Sequence, residues 1–291
     1  MDARVRRIAW ASLAVQIGIV GTGGAVRLTG SGLGCPTWPR CTPDTYVVLP
    51  EQGIHGAIEF GNRMLTFVLT AVALLALAAV FRLRRQRPDL WRAALILAAG
   101  IPAQAGLGGL TVLTGLNPWL VGAHFIVSAL LVLVAALFVV RALDGPPPQG
   151  ARPVGPLAWL VVAAVAVTLA LGVVTTGAGP HAGDAATPRN GLDVERLQHV
   201  HSIPAYAMLG LTVGLLVSLR PARFGRVRPL VWGLLALQVA QVVVGISQAR
   251  LGVPALLVGL HMLLACGVVA TLTAVVARLR ALPPASATTI A

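Results

Sequence analysis

The chain has 291 residues, of which 57% are hydrophobic and 11% charged, with a mean hydropathy of +0.84, so too little polar surface exists to clothe a water-soluble globule. A formal net charge of +13 would suggest a polyanion partner in a soluble protein, but all 22 basic residues are Arg and most stand in short connections between apolar blocks. The charge therefore reports membrane topology, and nucleic acid is excluded as a partner.

The apolar blocks are unbroken runs of Leu, Val and Ala, each about 20 residues or more, enough for a helix to cross roughly 30 Å of hydrocarbon. They lack the alternation of barrel strands. The first span is expected at about 7–26, behind Arg4, Arg6 and Arg7. That start resembles a signal peptide, yet no small-residue cleavage site follows, so the span reads as a retained helix. Next come Thr29-Gly-Ser-Gly32 and the loop Gly34-Cys-Pro-Thr-Trp-Pro-Arg-Cys41. For Cys35 and Cys41 a structural disulfide is expected, with a reversible dithiol and a metal site as competing readings.

The second span, about 56–81, opens on His55, Glu59 and Asn62, spaced at i, i+4 and i+7 so that they share one helix face. After Arg82, Arg84, Arg85, Arg87 and Arg92 comes a third span to about 113, with a Gly106, Gly108, Gly109 cluster suited to close packing. A fourth covers about 118–141 and carries His124. Asp144-Gly-Pro-Pro-Pro-Gln-Gly-Ala-Arg-Pro-Val-Gly-Pro156 then breaks helix repeatedly. Further spans follow at about 157–176, 198–219 (with His199 and His201), 229–248 and 254–279 (with His261 and Cys266). Arg141, Arg152, Arg220, Arg223, Arg226, Arg228, Arg278 and Arg280 fall on the same side as the basic N-terminus, against Arg27, Arg40, Arg189, Arg196 and Arg250 opposite. Both termini are therefore expected in the cytoplasm.

Leu120-Val-Gly-Ala-His124 matches Leu257-Val-Gly-Leu-His261, each just after a proline. Thr29-Gly-Ser-Gly32 likewise resembles Thr176-Gly-Ala-Gly179, and Glu59-Phe-Gly-Asn62 aligns with Gln198-His-Val-His201. The expected fold is all-α integral membrane, eight transmembrane helices as two parallel-repeated four-helix bundles. Residues 1–143 would form the first half, 144–156 the linker, 157–280 the second half and 281–291 a tail.

His124, His201 and His261 lie within the first two turns of helices entering from the outer side. In the second half, His201 and His261 are placed to face one another and supply both axial ligands of an iron porphyrin, because neutral imidazole is a strong iron ligand. The alternative is a hydrogen bond to a backbone carbonyl or a place among lipid headgroups. In the first half the partner position of His124 is Asn62, a poor iron ligand. That leaves one firm ligand and room for chemistry, or His55 as a second ligand from a turn higher; His55 as a loop residue is the plain alternative. Glu59 is costly to bury charged, which points to function. Arg27 and Arg63 stand where they can pair with propionates or snorkel to the interface. His199 is expected to have a structural or packing role, His181 to be solvent-exposed, and Cys266 to be a buried hydrophobe.

Together, the Gly-rich first helix, the Cys35–Cys41 loop, Glu59-Phe-Gly-Asn-Arg63, the two Leu-Val-Gly-x-His segments and His201 resemble the haem A synthase family over about residues 8–280. The resemblance implies haem b held by His201 and His261 and substrate haem O facing His124. It also implies that Glu59 takes part in oxidising the porphyrin C8 methyl group to a formyl through an alcohol. Haem O synthase and cytochrome oxidase assembly factors would be partners in a bacterial cell membrane, with homo-oligomerisation left open. Many members of the family carry His where this chain has Asn62, and the second half lacks a cysteine pair in its outer loop. Rival readings are a dihaem b-type electron carrier, disfavoured because the candidate ligands gather at one face, and a non-catalytic haem-handling protein.

Overall fold

The computed structural model describes residues 2–146, 154–219 and 224–282. Arg152, Arg220, Arg223, most of the expected linker and all but the start of the expected tail lie outside the described residues. The described residues contain no strand and eight helices of membrane-spanning length: α1 (Ala3–Leu28), α2 (Gly53–Phe81), α3 (Pro88–Leu113), α4 (Pro118–Asp144), α5 (Pro156–Ala178), α6 (Val194–Ser218), α7 (Arg228–Arg250) and α8 (Ala255–Arg280). A helix satisfies its backbone polar groups internally, which lipid cannot do for them, so runs of this composition fold this way. The chain is a multi-pass membrane protein. Each helix exceeds its expected span by no more than a turn at either end.

Helix starts are written locally. Asp2 caps α1 through the amide of Arg4, Asn117 caps α4 through those of Trp119 and Leu120, and Asp193 caps α6 through that of Arg196. Pro begins α3, α4 and α5, where its missing N–H costs nothing.

Helices α1 to α4 close a ring, each packing on its neighbours and α4 on α1; α5 to α8 close a second ring in the same order. The first core gathers around Phe138, Leu90, Val80 and Val132, the second around Val231, Leu234, Val161 and Val275. The rings join where α8 packs on α1 and α4, and α4 on α5. Small residues set those joints: a Cβ on Gly122 would lie 2.5 Å from Val173, and one on Gly21 would lie 3.1 Å from Leu263. At the far end Arg278 bridges to Asp144, Nε to Oδ2 2.7 Å. Many large apolar side chains remain outside, Leu256 at 83% and Phe67 at 68% exposed among them. In lipid such side chains incur no hydration penalty.

One backbone device occurs twice. Gly115 and Leu116 have φ of 61° and 60°, and Gly252 and Val253 have 74° and 60°. The Leu116 amide donates to Thr111 and the Val253 amide to Gln248, both at 2.7 Å. Left-handed backbone is uncommon for a non-glycine residue and costly for a β-branched one, so the same turn ending α3 and α7 sets how α4 and α8 re-enter.

Candidate functional site

His201 on α6 and His261 on α8 come from diagonal helices of the second ring and meet at its centre. Their ring centroids are 6.3 Å apart with planes 69° apart. The intervening helices make room with glycine: a Cβ on Gly172 of α5 would lie 2.9 Å from Cε1 of His201, and one on Gly245 of α7 would lie 3.3 Å from Cε1 of His261. Nδ1 of His261 is buried without a protein partner. That of His201 makes no well-formed hydrogen bond, its polar neighbour being the Thr168 carbonyl. Imidazoles bound at about 2 Å on opposite sides of one metal ion hold their centroids roughly 6 Å apart, so this pair suits two axial ligands. Among the described residues no group of three or more His, Cys, Asp or Glu could hold a bare metal ion. The arrangement fits a porphyrin, which brings its own equatorial nitrogens.

His124 on α4 has the same setting in the first ring. A Cβ on Gly108 of α3 would lie 3.2 Å from its Cε1, and its Nδ1 is buried without partner. Gln104, one turn from Gly108, donates Nε2 to the His124 carbonyl at 3.1 Å and to Ser128 Oγ at 2.5 Å. The matching amide in the second ring is Gln241, one turn from Gly245, with its Oε1 buried and unpartnered. Diagonal to α4, the α2 helix presents Asn62, whose Oδ1 is buried without partner. His55 does not join His124: it is exposed, its Nδ1 lies 2.9 Å from Ser31 Oγ, and no ring contact links it to another histidine.

Cys35 and Cys41 are joined in a disulfide, and the loop they close is locked onto α2. Glu59, 5% exposed, accepts the Cys35 amide on Oε2 at 2.6 Å. Its Oε1 accepts Nε and Nη2 of Arg63 at 3.2 and 2.5 Å. Arg63 also donates to the carbonyls of Cys35, Thr37 and Arg40. All five N–H donors of the guanidinium are thereby engaged. Gln52 adds bonds from Nε2 to the Gly34 carbonyl and to Cys41 Sγ. Trp38, at the loop's tip, lies against Gly109 of α3, where any Cβ would collide with the indole.

Arg27, at the end of α1, reaches into the other half. Nε donates to the His181 carbonyl at 2.6 Å and Nη2 to the Thr176 carbonyl at 3.0 Å. The Gly32 amide donates to Gly183 at 2.7 Å. His181, expected in solvent, is instead half-buried in this seam, with Nε2 2.7 Å from the Val253 carbonyl; a partner 72 residues away leaves no local signal. His199, expected to have a structural or packing role, is exposed and does not pack, and its Nδ1 is bonded to the Glu195 carbonyl of its own helix. Cys266 is a buried free thiol, as expected.

Sequence reading named Gly108 only within a cluster suited to close packing, and missed the glycine seats at 172 and 245. The two helices α3 and α7 carry Gln-x-x-x-Gly at 104–108 and 241–245, one turn apart on one face, and that recurring pair was the available signal.

Fold and site define a membrane helical bundle with an imidazole pair at the centre of one ring and a lone imidazole in the other. The chain belongs to the COX15-CtaA family, described as cytochrome oxidase assembly protein, whose profile matches residues 6–273. It is 35% identical over 123 residues to a protein named heme A synthase from Geobacillus kaustophilus (strain HTA426), covering 42% of this chain and 38% of that protein. A heme A synthase from Geobacillus thermodenitrificans is 29% identical over 140 residues, 48% of this chain and 43% of that protein. The matched stretches span less than half the length of either relative.

Proposed function

We propose that this protein is a haem A synthase of the bacterial cell membrane, oxidising the C8 methyl group of haem O to an alcohol and then to a formyl group for cytochrome oxidase assembly. The observation that carries this reading is the unequal pair of ring centres: facing imidazoles at 6.3 Å in one, and in the other the single imidazole of His124 on the helix diagonal to the one that carries Asn62. On this reading the two rings are copies of one four-helix unit, residues 1–143 and 157–280, running parallel with both termini cytoplasmic. The turns at Gly115-Leu116 and Gly252-Val253 support the duplication.

His201 and His261 hold haem b, which when bound supplies reversible one-electron transfer. Gly172 and Gly245 fix the two rings by leaving their positions no freedom on the far side. In the first ring His124 binds the iron of the substrate haem O, whose apolar tail stays in lipid. Glu59 stands one turn from Asn62 on α2 and serves as the carboxyl group at the reacting edge, oriented by its bonds to Arg63. Arg27, whose Nη1 takes neither carbonyl of the seam, is the guanidinium available to a propionate. A haem O synthase is the partner class that supplies the substrate.

Coexpression with a haem O synthase under aerobic conditions, followed by chromatography of extracted haems, tests the proposal. Haem A should appear. Haem O left unchanged by a folded, haem-loaded protein refutes it. A Glu59→Ala variant that still yields haem A refutes the role of that residue, and loss of haem A with haem retained separates an enzyme from a simple carrier.

A further inference from the structure

We infer that the iron of the substrate haem in the first ring keeps an open sixth position, roofed by the Asn62 amide, where a small diatomic molecule or water binds. The inference rests on the proposed haem-binding role of His124 and goes beyond it by assigning the opposite face of the porphyrin.

Three observations lead there. The second ring fills both faces with imidazole, because diagonal helices α6 and α8 bring His201 and His261 to 6.3 Å. The first ring has the same order of helices, and its α3 glycine seats His124 as the α7 glycine seats His261, at 3.2 and 3.3 Å. By the match of Glu59-Phe-Gly-Asn62 with Gln198-His-Val-His201, what α2 offers where α6 offers His201 is Asn62. Its side chain makes no hydrogen bond to protein, and its Oδ1 is buried. A buried carbonyl oxygen without a partner is costly unless something polar reaches it. A carboxamide is too weak a donor to occupy iron as imidazole does, yet it offers both an N–H and a carbonyl to a molecule lying between it and the metal.

The other histidine in reach by sequence is committed elsewhere. His55 lies seven residues before Asn62, about 10 Å along the helix axis, and its ring is hydrogen-bonded to Ser31. Ser31 is itself fully buried and bonded to Thr29, so the His55 ring belongs to the loop that crosses above α2. The Gly34 backbone presses on that of His55 and Gly56, which holds the start of α2 in place. The first ring therefore offers one imidazole and one carboxamide, and the second offers two imidazoles.

Carbon monoxide is the probe, because it binds ferrous haem only where a coordination position is free. The full-length protein, loaded with haem at both sites and reduced with dithionite, is titrated with CO and followed by absorption spectroscopy. One haem of the two should bind CO and the other should not. Asn62→His should abolish CO binding and give two six-coordinate low-spin haems, whereas Asn62→Leu should leave it intact. Two bound haems of which neither takes CO overturn the inference and leave the proposed function standing. CO binding that appears only in His55→Ala also overturns it, by placing His55 on the iron. A folded protein that takes up no second haem overturns the proposed function together with the inference.

Discussion

Replacing Arg63 with Leu removes a guanidinium whose five donors all find acceptors on Glu59 and the disulfide loop. The Arg63 side chain is 18% exposed and that of Glu59 6%, so water cannot substitute well for the lost partner. Glu59 would be left as a buried carboxylate holding only the Cys35 amide. Stranding one member of a buried pair costs about 3–5 kcal/mol, and here the cost falls on the loop more than on the membrane helices. Opening of that loop should rise by about a hundredfold to several thousandfold, and limited proteolysis reads it directly when reclosing is fast relative to cleavage. Cleavage between Leu33 and Leu49 should accelerate in Arg63→Leu while α3 to α8 stay protected. The double variant Glu59→Gln with Arg63→Leu strands no charge and should recover about 2 kcal/mol of the loss. Cleavage of Arg63→Leu at the parental rate, or a double variant more labile than the single, refutes the clamp.

Further expectations concern the rings and the seam. Gly172→Ala should displace the His201 ring by about half an ångström, the limit of tolerance for a ligand set, and the absorption spectrum should lose its bis-imidazole signature. Gly245→Ala, with 3.3 Å to spare instead of 2.9 Å, should perturb it less; the reverse order would show that these glycines do not position the rings. Gln238 is fully buried with both amide atoms unpartnered, so Gln238→Met should raise thermal stability by about 1–2 kcal/mol, and destabilisation would mean the amide has a polar occupant. His181→Phe should cost about 1 kcal/mol by removing the bond to Val253, measured as a fall in the unfolding midpoint; an unchanged midpoint would show the seam is not stabilising.

The membrane spans were legible because hydrophobic length is a local property, and each helix begins and ends where apolar runs meet Pro, Gly or Arg. The His201–His261 encounter was legible too, since equal depth on two helices and a recurring Leu-Val-Gly-x-His pattern constrain where the rings can go. Arg63 shows what was hidden. Its position near a helix end fitted propionate pairing or snorkelling, but its acceptors are loop carbonyls 23 to 28 residues upstream, and irregular backbone has no periodicity from which to infer them. His181 was misplaced for the same reason, because a loop residue is read as solvated unless its distant partners are known. Asn62 lay between these cases: its chemistry was plain from sequence, while the absence of a hydrogen bond on its amide needed the packed helices around it.

The seam of Arg27 also orders events in time. Its acceptors at His181 and Thr176 are 154 and 149 residues further along the chain. At about 5–20 residues per second, translation delivers them roughly seven to thirty seconds after Arg27 is made. Through that interval the first ring can assemble its helices, but its rim has no carbonyls to receive the guanidinium. The rim at the end of α1 is thus made before its partners yet is among the last parts to be finished, and a chain halted after α4 would keep that edge unsealed.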